Sequence, residues 1–376
     1  MSNVVISGTG LFVPPEVITN DELVATFNEY VDIFNADNAE AIADGTVEAL
    51  QYSSSEFIEK ASGIRQRHVV ERSGVLDPNI MKSQVDDSVF GDDDTPSMQA
   101  KWAIDAAEKA LARAGKTGAD VDYVICAAAL QQRYFPAMAI EVQKFIGASG
   151  FAMDLTMACS SATFGMLTAY DALKAGSAKC VLVVNPEFFS TMTNYRDRDS
   201  HFIFGDVCTA VVMELEESCT SDDAWRVIGR KAMTQYSRNI TSNLGPLMRL
   251  VEGGLDRADS YFLQEGRKVF KELLPIVISY IAEHLEDNDF TAEDMRRLWL
   301  HQANINMDKY AVKKLLGREP DHDVAPMPLT KYANMAGAGS IVAFHENKDD
   351  LVSGDKGIIC SFGAGYSLGS LIVEKV

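Results

Sequence analysis

The feature that most constrains the fold is a loose internal repeat. Thr117, Asp120, Val124 and Ala129 precede a segment ending Phe145-Ile146-Gly147, and 174 positions later Thr291, Asp294, Leu298 and Ala303 precede Leu315-Leu316-Gly317. Further on, DLTMACSSATFGM and PLTKYANMAGAGSI each carry a strand-like run into a small-residue helix start, which aligns Cys159 with Asn334 at a spacing of 175. KCVLVV and KGIICS then align at 177. Four anchors in one order, with little drift in spacing, argue for a duplicated α/β unit. One copy carries a thiol and the other an imidazole, His301, and an amide, so the expected site is shared between the halves.

The 376 residues suit two lobes of ordinary domain size, here placed at 1–220 and 221–376. Apolar residues make up 47% and charged ones 23%, the balance of a globular protein. MSNVVISGTG lacks the basic start and long apolar stretch of a signal peptide, and no apolar run is long enough to span a bilayer. A soluble, cytoplasmic protein without a membrane partner is the expectation. A formal charge of −20 argues against nucleic acid bound through a global field. The six cysteines show no C-x-x-C spacing, so no metal site is expected, and most lie in apolar runs where Cys packs as a small hydrophobe.

Helices are expected over 23–50, 97–115, 160–175, 264–285, 305–316 and 336–349. Strands are expected over 121–129, 180–185, 208–215, 296–301, 357–362 and 368–374. Gly115 stops the second helix. Strand 121–129 is apolar throughout, as a strand inside a parallel sheet must be. Helices alternating with apolar strands favour a layered α/β fold. Ser7-Gly8-Thr9-Gly10 lacks the third glycine of a dinucleotide fingerprint and runs into Pro14-Pro15, so it reads as a tight turn.

Cys159 lies between an apolar strand and the small residues that open a helix. There the positive dipole end is expected to lower its pKa, although a buried packing thiol fits the same setting. His301-Gln302-Ala303-Asn304 ends a strand, and Asn334 stands in YANMAGAGS. Phe362-Gly363-Ala364-Gly365 adds a turn whose amides can approach a ligand closely. A nucleophile, an oxyanion donor and two neutral hydrogen-bond donors together equip a site for acyl transfer through a thioester.

At these residues the sequence resembles the 3-oxoacyl-acyl-carrier-protein synthase III family of condensing enzymes, in the thiolase superfamily. The resemblance runs through SGTGLFVPPEVITNDEL, SGIRQRH, RYFPA, MACSSATFG, DRDSHFIFGD, LHQAN, YANM and FGAGYSLGS. It implies a five-layered αβαβα thiolase-like fold of two halves, assembled as a homodimer. It further implies that Cys159 accepts an acyl group and that His301 and Asn334 stabilise the enolate left when a malonyl thioester loses carbon dioxide. The backbone amides of Cys159 and Ala364 would form the oxyanion hole, Phe135 would help to limit the acyl pocket from the neighbouring subunit, and Arg198 would lie near the coenzyme A nucleotide. Lys271 and Lys313 match basic positions that dock acyl carrier protein. No cofactor is implied, since acyl-coenzyme A and malonyl-acyl-carrier protein are substrates.

The chain departs from the family pattern in several places. Ala364 replaces a glycine, Asn306 replaces an arginine of the docking surface, and Phe57 and Ala61 stand where a tryptophan and an arginine usually sandwich the adenine. Insertions around 28–52 and 72–96 are similar to those of a branch that accepts medium-chain acyl groups. The leading expectation is a decarboxylating condensation of a medium-chain primer. The alternatives are an acyltransferase or a condensing enzyme of secondary metabolism on the same fold, or a silent subunit of a heterodimer.

Overall fold

The computed structural model describes residues 2–319, 321 and 323–376. Nine strands form one mixed sheet: β1 (Val4–Phe12), β2 (Tyr123–Ala127), β3 (Phe151–Leu155), β4 (Cys180–Glu187), β5 (Val207–Leu215), β6 (Trp225–Thr234), β7 (Arg297–Leu300), β8 (Lys356–Gly363) and β9 (Ser367–Lys375), in the order β7-β8-β9-β6-β1-β5-β4-β2-β3. The order contains the same pattern twice. β1 pairs antiparallel with β5, β5 antiparallel with β4, and β4 parallel with β2. In the second half β6 pairs antiparallel with β9, β9 antiparallel with β8, and β8 parallel with β7. The halves join through a short ladder, Val5 opposite Arg226 and Ile6 opposite Trp225.

The eight longer helices among the described residues position the rest: α1 (Asn20–Asp37), α2 (Ser55–Ser62), α3 (Met98–Ala114), α4 (Met138–Ile146), α5 (Ser161–Ala175), α6 (Gly266–Glu286), α7 (Ile305–Leu316) and α8 (Gly339–Glu346). Three apolar clusters define the layers. Ala103, Ala106 and Ala110 of α3, with Val142 of α4, cover the outer face of the first half-sheet. Met166 and Leu173 of α5 and Ile341 and Phe344 of α8 lie between the half-sheets. Leu273, Val277 and Ile281 of α6, with Val312 of α7, cover the second half-sheet from outside. The result is the five-layered α/β arrangement expected of a thiolase-like fold.

The repeat is visible in detail. Thr117 and Thr291 each open a short turn in the same way, the backbone N–H and hydroxyl donating to Asp120 and Asp294 at 2.7–2.9 Å. Several local expectations are corrected. Ser7–Gly10 is no turn but the middle of β1, where a Cβ on Gly8 or Gly10 would stand 2.2 or 2.0 Å from the carbonyls of Ala110 and Ala106. The glycines let α3 lie directly on the strand. α1 ends at Asp37, and after a short helix the chain returns alongside it. Asn28 and Asn35 clasp the backbone of Ser53 and Leu50 through paired hydrogen bonds of 2.8–3.2 Å. PLTKY, read as strand-like, is a short helix (Leu329–Tyr332), and the helix expected at 336 starts at Gly339 after a 3-10 turn, Ala336–Ala338.

Candidate active site

Cys159 is the middle residue of a 3-10 turn, Ala158–Ser160, that runs into α5. Ala158 has φ 45, a left-handed conformation that costs about 1–3 kcal/mol for a residue with a Cβ. Ser161 holds the turn, its hydroxyl accepting from the Met157 N–H at 2.9 Å and donating to the Ala158 carbonyl at 2.7 Å. Opposite the thiol lies the end of β8. A Cβ on Gly363 would sit 2.6 Å from the Cys159 Cβ, so only glycine lets the strand end approach. The backbone N–H groups of Ala364 and Cys159 both favour the thiolate, as donors of an oxyanion hole would. The expected lowering of the thiol pKa is overturned nevertheless: burial, aided by the charge of Glu187, pushes Cys159 up to about 12. At neutral pH the resting group is the thiol.

His301 follows β7 directly, and its N–H donates to the Cys360 carbonyl at 2.8 Å. Its ring stands edge-on to Phe362 at 5.3 Å. Burial pushes its pKa down to about 4, opposed by the Ala336 backbone, so the ring is neutral at pH 7. Asn334 is held by its backbone, donating to the Ile203 carbonyl at 2.9 Å and accepting from the Gly205 N–H at 3.1 Å. Its side-chain oxygen accepts from the Ala336 N–H at 3.0 Å, which fixes the orientation of the amide. The amide NH₂ is left to donate into the cavity.

Cys159, His301, Asn334 and Gly363 line one cavity of about 330 Å³. Its remaining wall is largely apolar, with Phe202, Ile203, Phe262, Val269, Leu273 and Met307. Phe57 and Ala61 also line it. Arg198 places its guanidinium 4.2 Å from the centre of the Phe57 ring and donates from Nε to the Tyr52 carbonyl at 2.7 Å, so the segment after α1 holds it there. The guanidinium missing at Ala61 is thus present at the same aromatic ring, supplied by Arg198. Asn306, in place of an arginine, reaches back to the Lys60 and Ala61 carbonyls at 3.3 and 3.4 Å.

Phe135 is outside the cavity, 85% exposed beside Tyr134 at 71%. The single chain therefore does not bring it to the thiol. Lys271 and Lys313 are exposed on the adjoining helices α6 and α7, and Lys313 is paired with Glu319. Sequence reasoning missed Glu187, fully buried at the end of β4. Its carboxyl group accepts from the Ala129 N–H at 3.0 Å and from the Gly337 N–H at 3.1 Å. Nothing local in NPEFF signals this, because its partners come from distant parts of the chain.

Two family models match the chain: 3-oxoacyl-[acyl-carrier-protein] synthase III over residues 153–234 and the C-terminal model of the same family over residues 285–375. The beta-ketodecanoyl-[acyl-carrier-protein] synthase of Pseudomonas aeruginosa is 47% identical over 350 residues, covering 93% of this chain and 99% of that protein. The beta-ketoacyl-[acyl-carrier-protein] synthase III of Rhizobium johnstonii is 29% identical, with 98% of each chain covered. Among solved structures, a 3-oxoacyl-(acyl carrier protein) synthase III from Pseudomonas aeruginosa superimposes with a TM-score of 0.75 at 21% identity, over 99% of this chain and 98% of that one.

Proposed function

The chain belongs to the 3-oxoacyl-acyl-carrier-protein synthase III family of acyltransferases, and from that premise we propose that it joins a medium-chain acyl primer to malonyl-acyl-carrier protein by decarboxylating condensation. The observation that carries this reading is the convergence of Cys159, His301, Asn334 and the Gly363-Ala364 turn on one apolar cavity. In the first half-reaction the Cys159 sulfur attacks the carbonyl of acyl-coenzyme A, and coenzyme A leaves as the thiol with the proton that Cys159 gives up. The amides of Cys159 and Ala364 hold the oxyanion. In the second, the bond between the malonyl carbon and its carboxyl breaks, carbon dioxide leaves, and the enolate oxygen accepts hydrogen bonds from neutral His301 and from the Asn334 NH₂. The carbanion then attacks the acyl-Cys159 carbonyl and expels the sulfur as thiolate, which takes a proton from water. These groups need no cofactor.

A medium-chain primer is supported by the apolar wall and by the 47% identical relative, named for a ten-carbon product. A ten-carbon 3-oxoacyl product requires an eight-carbon primer, because malonate contributes two carbons. Each methylene buried in an apolar wall contributes about 0.8 kcal/mol. Exposed Tyr134 and Phe135, and the unpaired edge of β3 with Phe151 and Met153 half exposed, support a homodimer. Lys271, with Lys309 and Lys313 on the neighbouring helix, gives an acidic carrier protein a local cationic surface. The water-soluble carrier and coenzyme A fit a cytoplasmic setting, and among the described residues no helix is long and apolar enough to cross a membrane. Competition between acetyl- and octanoyl-coenzyme A, read by intact mass, tests the reading: octanoyl should predominate on Cys159. A clear acetyl preference would overturn the chain length, and an unmodified protein would overturn the mechanism.

A further inference from the structure

The duplication places a second copy of the nucleophile turn in the other half, and the counterpart of Cys159 is Gly337 rather than Asn334. MAC and MAG both form 3-10 turns leading into the central helices α5 and α8, and Ala158 and Ala336 share φ 45. The helix in PLTKY leaves Asn334 before this turn instead of inside it. The strands behind the two turns correspond as well. Glu187 ends β4 and pairs with Val207, the first residue of β5, while Gly363 ends β8 and pairs with Ser367, the first residue of β9. Side chain and vacancy are therefore exchanged between the halves. In the first turn Cys159 carries the side chain and Gly363 none; in the second, Gly337 carries none and Glu187 reaches in.

The second arrangement is tight. A Cβ on Gly337 would lie 2.5 Å from Glu187 Oε1 and 3.3 Å from both the Ala158 carbonyl oxygen and the Ser161 Cβ, so the two turns pack against each other across the halves. Adjacent amides then act in opposite directions: the Ala336 N–H holds the Asn334 side-chain oxygen, and the Gly337 N–H is held by Glu187. We propose that Glu187 is a positioning residue for decarboxylation, its carboxyl group filling the second copy of the nucleophile turn and fixing the backbone that presents Asn334. This rests on the condensing reading given above. The titratable groups that act on Glu187 or feel its charge are Asp206 and the thiols of Cys126, Cys159 and Cys208.

Two variants separate reach from ionisation. Glu187→Gln keeps an oxygen for the Gly337 N–H but cannot ionise; Glu187→Asp keeps the ionisable carboxyl but withdraws it by one methylene. With both shown by thermal melting to be folded at the assay temperature, the Asp variant should release carbon dioxide from malonyl-acyl-carrier protein about tenfold or more slowly at unchanged KM, and the Gln variant within about threefold of the parent. The Gln variant should also alkylate at Cys159 with a midpoint shifted to lower pH, a change that lost packing alone does not produce. Full decarboxylation by the folded Asp variant, or equal loss in both, overturns the assignment while the condensing reading stands. Absence of carbon dioxide release from the parent overturns that reading and this assignment with it.

Discussion

Two opposing influences meet at Cys159. The amides of Ala364 and Cys159 stabilise a thiolate, while burial and the nearby carboxylate of Glu187 disfavour it, and the second pair wins. We therefore expect iodoacetamide to alkylate Cys159 slowly at pH 7 and progressively faster as the pH rises toward 10, followed by peptide mapping; full reactivity at pH 7 would show that the helix start dominates. His301 and Asn334 act after acylation. Replacing either by Ala should slow carbon dioxide release roughly 10²–10³-fold, the usual cost of a lost oxyanion donor, and slow acylation of Cys159 far less. Equal effects on both steps would remove them from the enolate site. Cys, His and Asn were legible because each follows an apolar run and sits beside small residues or a resembling motif. Glu187 was not, since its hydrogen bond to Gly337 spans 150 positions and exists only once the halves are packed.

Among the elements, legibility followed the apolar pattern. The continuous runs of β2, β4, β5, β8 and β9 were placed within a few residues of their observed ends, because strands covered on both faces need apolar residues throughout. β6 escaped notice. WRVIGRKAMT alternates between buried and more exposed positions and shows no apolar run, although it joins the second half-sheet to the first. PLTKY misled in the opposite direction, its pattern suggesting a strand where Gln302 instead accepts from the Leu329 N–H at the start of a short helix. The glycines of β1 show what pattern alone cannot reveal, namely how near a neighbouring backbone lies. Gly8→Ala would put a methyl 2.2 Å from the Ala110 carbonyl, which neither backbone can yield without moving α3 off the sheet. We expect a loss of about 1–3 kcal/mol, read as a lowered midpoint in urea at unchanged slope. An unchanged midpoint would mean that α3 does not depend on this contact.

For the whole molecule, the buried titratable groups set a stability optimum that the net charge does not reveal. Burial holds His201, His284, His301 and His345 at about 4. An unfolded chain protonates them near 6.5. Between those values the unfolded chain binds protons that the native chain refuses, so stability is lost as the pH falls through 6.5 toward 4. Burial acts on Glu187 and Asp206 with the opposite sign, raising them to about 8 and about 7, and it raises Asp308 well above its ordinary value. These acids keep protons in the native chain that the unfolded chain releases near 4. Their contribution is complete below that value and is lost as the pH rises through the native values. Four imidazoles outweigh three carboxyls below 6.5; above it the carboxyls dominate, joined toward pH 9 by buried thiols that burial also raises and that act with the same sign. The urea midpoint should therefore peak at about pH 6 and decline toward both pH 4.5 and pH 8.5. Glu187→Gln should flatten the alkaline decline, because the amide has no proton to lose, and steepen the acid limb, where two carboxyls rather than three then oppose the four imidazoles. A midpoint that rises steadily to pH 8.5 in the parent would mean that water reaches these carboxyls in the native state, and the tight packing of the two turns would have to be abandoned with it.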